Sequence, residues 1–198
     1  MKLIQIGCGH NPLSGFQNYD SDLFLFFKYI PFSEKILSLF KFIPKAFIDF
    51  IILAKKHNIH YCDASKKIPL DDNSVELIYS CHMVEHLDWN ESLSFFSESK
   101  RVLKNGGILR IVVPDFDFLI NNYKKNNDVD RFIFQSYLVG DKPKNSLKKI
   151  QYFLQGHGWH HQMFTSKSID KFQKLKFSQV IQVNPGITKF NFETSMNL

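Results

Sequence analysis

The chain has 198 residues and a mass of 23.2 kDa, which at ~100–200 residues per domain leaves room for one globular domain. Hydrophobic residues make up 44% and charged residues 22%, which excludes a disordered, collagen-like or disulfide-dense chain. Two counts stand out, 21 Phe and a formal charge of +6 from 25 Lys and Arg against 19 Asp and Glu, and they raise membrane and nucleic-acid partners as questions for the rest of the sequence.

Cys8, Cys62 and Cys81 are far apart and odd in number, a pattern that points away from paired disulfides and toward a reducing compartment, the cytoplasm. Met1-Lys2 runs straight into a short apolar stretch, so no secretory leader is expected. The stretch 23–54 is rich in Phe, but Lys28, Glu34, Lys35, Lys41, Lys45 and Asp49 interrupt it and Pro31 and Pro44 cut it. A spanning helix needs roughly 18 apolar residues with few charges, so no crossing of a bilayer is expected.

In chain order, Leu3-Ile4-Gln5-Ile6 reads as a buried strand emptying into the glycine turn Gly7-Cys8-Gly9. Asn18-Tyr19-Asp20 is a second short strand. Residues 32–43 and 45–57 follow as two helices, the first with Ile36, Leu39, Phe40 and Ile43 at i, i+3, i+4 and i+7. Residues 59–63 read as a third strand and 75–81, after the Asp71-Asp72-Asn73 turn, as a fourth. Asp88-x-x-Glu91 is a capping box for a helix lined by Trp89, Leu93, Phe96 and Leu103 and stopped by Asn105-Gly106-Gly107. Residues 108–113 form a fifth strand ending at Pro114-Asp115. Helical patterns over 117–155 are broken at Asn121-Asn122, Asn126-Asn127 and Lys142-Pro143. A helix near 166–175, a strand at 177–183, a turn at Asn184-Pro185-Gly186 and a strand at 187–192 close the chain as an antiparallel hairpin. Strands alternating with helices predict an α/β fold with a mostly parallel sheet covered on both faces. In such sheets ligands sit beyond the carboxyl ends of the strands, where the strand order reverses.

The glycine turn is neither a dinucleotide fingerprint nor a P-loop. Pro12 stands where the third glycine would be, Asp20 follows Gly9 too soon for a helix and a strand to intervene, and no G-x-x-x-x-G-K-[ST] occurs. Acids or polar turns do recur at successive strand ends, at Gly7-Cys8-Gly9, Asp20 and Asp63-Ala64. That pattern suits a nucleoside ligand without pyrophosphate, in which one carboxylate takes a ribose diol, another takes an adenine amino group, and glycines admit a small zwitterionic tail.

These residues, with Ile68-Pro69-Leu70-Asp71-Asp72, His82-x-x-Glu85-His86-Leu87, Glu98-x-x-Arg101-Val102-Leu103-Lys104-x-Gly106-Gly107, Pro114-Asp115 and a His before Met163-Phe164, resemble class I S-adenosylmethionine-dependent methyltransferases. The likeness extends to a small bacterial group associated with cell-surface polysaccharide synthesis and spans about residues 3–20 and 59–183. It implies a Rossmann-like methyltransferase fold with a seven-stranded, mostly parallel sheet and a C-terminal antiparallel hairpin, in one domain over 1–198. It implies S-adenosylmethionine as cofactor, bound by Gly7, Cys8, Gly9, Asp20, Asp63, Ala64, Cys81 and His82. Two departures are visible, a short loop through Asn11-Pro12 where the family carries a helix, and a longer, more apolar insert at 23–57.

Methyl transfer from a sulfonium needs positioning rather than a metal, and a hydroxyl acceptor needs a base. Asp115 after the fifth strand, with His160 or His161 on the cap at 117–165, is the expected pair. The expected function is O-methylation of a glycan or other cell-surface-related acceptor, with a nucleic-acid or small-molecule acceptor as the alternative. Lysines scattered as Lys55-Lys56, Lys66-Lys67, Lys124-Lys125 and Lys148-Lys149 disfavour nucleic acid. His82-x-x-Glu85-His86 also fits an inverted zinc-peptidase signature, a remote alternative because that motif belongs in mid-helix; His157-x-x-His160-His161 is a weaker metal candidate. The insert is a second core layer, a homodimer face or a peripheral anchor at the inner face of the membrane.

Overall fold

The computed structural model describes residues 1–40, 43–138, 149, 159–165, 167–168 and 177–183. Five strands, β1 (Leu3–Ile6), β2 (Gln17–Asp20), β3 (His60–Tyr61), β4 (Val75–Cys81) and β5 (Leu103–Val112), form one sheet in the order β3-β2-β1-β4-β5, and every pairing is parallel. This is a Rossmann-like α/β arrangement in which the order reverses between β1 and β4. β1 is buried along its whole length, as a central parallel strand covered on both faces must be.

The β1–β2 connection is unusually short. A parallel crossover ordinarily carries a helix, but Gly7–Phe16 holds none, and two buried amides organise it instead. Gln5 and Asn18 are register partners on β1 and β2. Leu13 N donates to Gln5 Oε1 (2.8 Å) and to Asn18 Oδ1 (3.1 Å), Gln5 Nε2 donates to Asn11 O (3.1 Å), and Asn18 Nδ2 donates to the carbonyls of Leu13 and Phe16 (3.1 Å each). Buried amides of this kind must be paired, and here the pairing fixes the loop.

Part of the insert forms a second core layer, and part of its apolar surface stays exposed. A 3₁₀ helix at Leu23–Tyr29, capped by the Asp22 side chain on Phe24 N (2.7 Å), precedes α1 (Ser33–Ser38) and α2 (Lys45–Lys56). On α2, Phe47, Phe50, Ile51 and Ala54 are buried at helical spacing, and Phe50 and Ala54 close over Cys8, Leu25 and Ile59. The predicted helix over 32–43 is shorter than expected, and its apolar stripe does not face the core: Ile36 and Leu39 are exposed, and Ser33 is the buried residue. The expected helix over 32–43 also missed the 3₁₀ turn ahead of it.

Helix α3 (Trp89–Val102) begins with the predicted capping box, Glu91 N donating to Asp88 Oδ1 and Asp88 N to Glu91 Oε2, each at 2.8 Å. Its buried face is Ser92, Phe95, Phe96, Ser99 and Val102; of the expected Trp89-Leu93-Phe96-Leu103 line, Phe96 and Leu103 are buried, Leu93 is half-buried and Trp89 is exposed. Asn105-Gly106-Gly107 does not stop the helix either. The pairing jumps from Val75↔Leu103 to Leu77↔Ile108, and Gly106 takes φ +78°, so these residues form a bulge inside β5.

Helices α4 (Phe116–Asn126) and α5 (Val129–Ser136) follow, α4 running through Asn121-Asn122 without a break. Residues 177–183 form no strand among the described residues. The helix near 166–175 and the hairpin arm after 183 lie outside the described residues, apart from helical Lys167 and Ser168. No helix among the described residues is long and apolar enough to cross a membrane.

Candidate active site

Gly7-Cys8-Gly9 leaves β1 at the point of order reversal. Gly7 has φ +69°, and a Cβ there would meet Met83 Cγ at 2.5 Å and Cβ at 2.7 Å, so the residue after β4 closes one side of the turn. Gly9 has φ +49°, and a Cβ there meets nothing within 4 Å. The turn thus has a packed end and an open end. Its amides are anchored from β2: Gly7 N and Cys8 N donate to Tyr19 O (2.9 and 3.2 Å), and Gly9 N donates to Asp20 Oδ2 (2.7 Å). Asp20 Oδ1 accepts from Asp22 N (3.0 Å). Each Asp20 oxygen therefore takes one backbone N–H and keeps acceptor capacity.

Asp63 follows β3 and organises its own turn. Oδ1 accepts from Ser65 N (3.2 Å) and Ser65 Oγ (2.6 Å), and Oδ2 faces Lys66 Nζ at 2.9 Å. Burial disfavours its charge, but the Ser65 and Lys66 contacts outweigh this and hold the carboxyl below its usual range. Ala64 is buried in the main core cluster. Cys8 and Cys62 are buried thiols: burial first, then Asp20, pushes Cys8 well up, and burial with Asp63 beside it raises Cys62 to about 12. Neither has the character of a reactive thiolate. Cys81, half-buried, ends β4 opposite Val112.

Beyond β4 the backbone turns sharply, with His82 at φ +52°, a region few non-glycine residues adopt. A one-turn 3₁₀ helix, Val84–His86, follows. His82-x-x-Glu85-His86 is therefore a strand end and a 3₁₀ turn, not the mid-helix setting a peptidase motif requires. Glu85 is fully buried. His82 Nδ1 donates to its Oε1 (3.0 Å), and Oε2 has no hydrogen-bond partner.

The segment 159–165 lies across this turn. His161 N and Gln162 N both donate to Glu85 O (2.7 and 3.1 Å), and Gln162 Nε2 donates to Leu87 O (2.7 Å) and Ser92 Oγ (2.8 Å). His160 N donates to Tyr137 O (3.0 Å). The His160 ring is buried against His86 and Tyr137, with centroids 5.0 and 5.6 Å away. Burial, aided by His86 and His82, lowers its pKa despite the Glu85 carboxylate. His161 is exposed. Asp115 caps α4, accepting from Phe118 N (3.2 Å), while Phe116 N donates to Phe164 O (3.0 Å).

The predicted residues thus fall into two groups among the described residues, Gly7, Cys8, Gly9, Asp20, Asp63 and Ala64 at the ends of β1, β2 and β3, and Cys81, His82, Glu85, His86 and His160 at and beyond the end of β4, with Asp115 after β5 and His161 on the segment that bridges to it; His157 lies outside them. Sequence reasoning missed the two amides. The one signal was a Gln inside an apolar four-residue strand. A small hollow between α4 and α5, lined by Leu119, Tyr123, Arg131 and Phe132 among others, shares no residue with either group.

Residues 45–111 match a family described as a methyltransferase domain. The match runs from the start of α2 almost to the end of β5 and leaves out the glycine turn. Among solved structures, the PH0226 protein from Pyrococcus horikoshii OT3 is 18% identical with a TM-score of 0.40, the alignment covering 66% of this chain and 53% of that one. A putative S-adenosyl-L-methionine-dependent methyltransferase from Methanococcus maripaludis is 21% identical with a TM-score of 0.38, covering 77% of this chain and 64% of that one. The chain thus spans between half and two thirds of the length of these two proteins. No curated protein matches it.

Proposed function

We propose that the chain is an S-adenosylmethionine-dependent methyltransferase that methylates a hydroxyl on a glycan or other cell-surface-related acceptor, working against the inner face of the membrane. The observation that carries the activity is joint placement: a glycine turn at the reversal point of a parallel sheet, with carboxylates at the ends of both strands on one side of it. The family match over 45–111 supports the same reading.

The residues fit the cofactor. A nucleoside offers donors in its ribose diol and amino group, and Asp20 and Asp63 are acceptors with lone pairs left over. The open side of Gly9 admits a ligand where a side chain would intrude. Bound there, the cofactor supplies a methyl group already activated on a positively charged sulfur. The protein's remaining tasks are orientation and proton removal. Asp115 stands at the carboxyl end of β5, exposed, with Oδ1 committed to α4; in this reading its carboxylate takes the acceptor proton. His160 and His161, on the segment bonded beside it, complete the acceptor side.

The membrane part of the reading rests on the insert. Ile30, Phe32, Ile36 and Leu39 are exposed beside Lys28 and Lys35, an apolar face with cations, which suits an anionic lipid surface.

Calorimetry with S-adenosylhomocysteine tests the cofactor assignment. Wild type is expected to bind at micromolar levels, and Asp63→Asn at least about tenfold more weakly, equal to 1.4 kcal/mol. No heat with wild type from either this ligand or S-adenosylmethionine overturns it.

A further inference from the structure

We propose that Glu85, His86 and His160 bind one divalent first-row transition-metal ion, with Zn²⁺ as the first choice. The three residues each offer a ligand atom, and these atoms lie within 4.8 Å of one another. Two imidazoles and one carboxylate are a donor set that suits zinc and its neighbours in the first row.

Three observations point to a cation rather than to a packed polar cluster. First, Glu85 is fully buried, yet its Oε2 has no hydrogen-bond partner. A buried carboxylate oxygen left in that state is costly unless something positive meets it. Second, the tautomer of His86 is fixed. Its Nδ1 lies 3.0 Å from Trp159 O; a carbonyl only accepts, so Nδ1 carries the proton and the lone pair is on Nε2. Metal-binding histidines are oriented by such a backbone carbonyl. His82 plays the matching part for Glu85, donating from Nδ1 to Oε1.

Third, the ligands come from two loops already fastened together. The amides of His161 and Gln162 hold Glu85 O, and the Gln162 side chain reaches Leu87 and Ser92. His160 Nε2 stands 4.0 Å from Glu85 Oε1. Donors around a tetrahedral zinc stand about 3.4 Å apart at ordinary zinc–ligand lengths, so binding closes the site by roughly an ångström. Three protein ligands leave at least one coordination position for water or a substrate oxygen.

This site differs from the peptidase pattern read in the sequence. His82 supports the carboxylate and is not a ligand, Glu85 is a ligand and not a base, and the second histidine comes from the distant segment.

The test uses the full chain, freed of metal by chelator and dialysis, and does not depend on methyl transfer. Addition of Zn²⁺ is expected to raise the melting temperature and to leave one equivalent bound after desalting, and Co²⁺ to give visible d–d absorption. His160→Gln and His86→Gln should each lose the bound equivalent and the absorption, while His82→Ala should keep one equivalent with weaker affinity, by about 10–100-fold. Fewer than half an equivalent of either metal on wild type, with no melting shift, overturns the proposal. So does stoichiometric binding that persists unchanged in both His160→Gln and His86→Gln. Far-UV circular dichroism of each variant separates loss of a ligand from loss of the fold, and a folded His160→Gln that keeps the full equivalent counts against the site.

Discussion

Gly7 and Gly9 sit two positions apart in one turn and differ in what surrounds them. Both have positive φ, which costs an L-residue about 1–2 kcal/mol. A Cβ at Gly7 would also meet Met83 Cγ at 2.5 Å, so Gly7→Ala is expected to lose about 2–4 kcal/mol in urea unfolding. Gly9→Ala, facing open space, should lose about 1 kcal/mol. Adding Met83→Ala to Gly7→Ala should recover the steric part and leave the backbone part. Equal losses at the two glycines would contradict the packing described. At this scale the sequence revealed which residues matter but not their partners. Asp20 was legible as a strand-end acid, whereas its grip on Gly9 N depends on a register that only the folded sheet sets. Glu85 was visible as one member of a motif, and nothing local to it showed that it would be the most buried acid of the site.

Between elements, two sequence motifs prove to be halves of one clamp. Arg101 on α3 donates to both oxygens of Glu98 (2.8 and 2.6 Å), to Asp72 Oδ1 (2.7 Å) and to the carbonyls of Ile68 and Leu70 (2.9 Å each), while Ile68 N donates to Glu98 Oε2 (3.0 Å). The clamp holds the loop leading into β4, so the motifs serve the scaffold. Arg101→Ala should cost about 2 kcal/mol, because charge-assisted bonds and two carbonyls lose their partner, seen as a melting point lower by about 4–8 °C. The Arg101 bonds hold the Glu98 carboxyl below its usual range. Its contribution is therefore fully present above the unfolded carboxylate value, about 4.3, and is lost as pH falls through the lower folded value. Wild type should lose more stability than Glu98→Gln between pH 6 and pH 3; parallel pH profiles would refute this. Legibility at this scale followed local chemistry. The capping box of α3 and the ends of β1 and β4 needed only neighbouring residues, whereas the buried face of α3 and the glycine bulge in β5 depended on what lay opposite them.

For the whole molecule, the parallel sheet was legible because strand and helix patterns alternate along the chain, but the strand order and the fate of the Phe-rich insert were not. Composition marks it as apolar and leaves open which face is covered. The structure covers one face, through Leu25, Phe47 and Phe50, and leaves Ile30, Phe32, Ile36 and Leu39 outward. If this outer face meets lipid, the chain should float with phosphatidylglycerol vesicles and less with neutral ones, and Phe32→Ser with Leu39→Ser should return it to the bottom fraction. Recovery of wild type below both kinds of vesicle would rule the contact out.

The bond from His160 N to Tyr137 O gathers two chain positions that flank a long intervening stretch. The same bond splices the end of α5 to the segment that lies on Glu85, and Tyr137 turns there at φ +53°. A pull on α5 is therefore felt at the turn beyond β4, and a shift of that turn tugs on α5 in return.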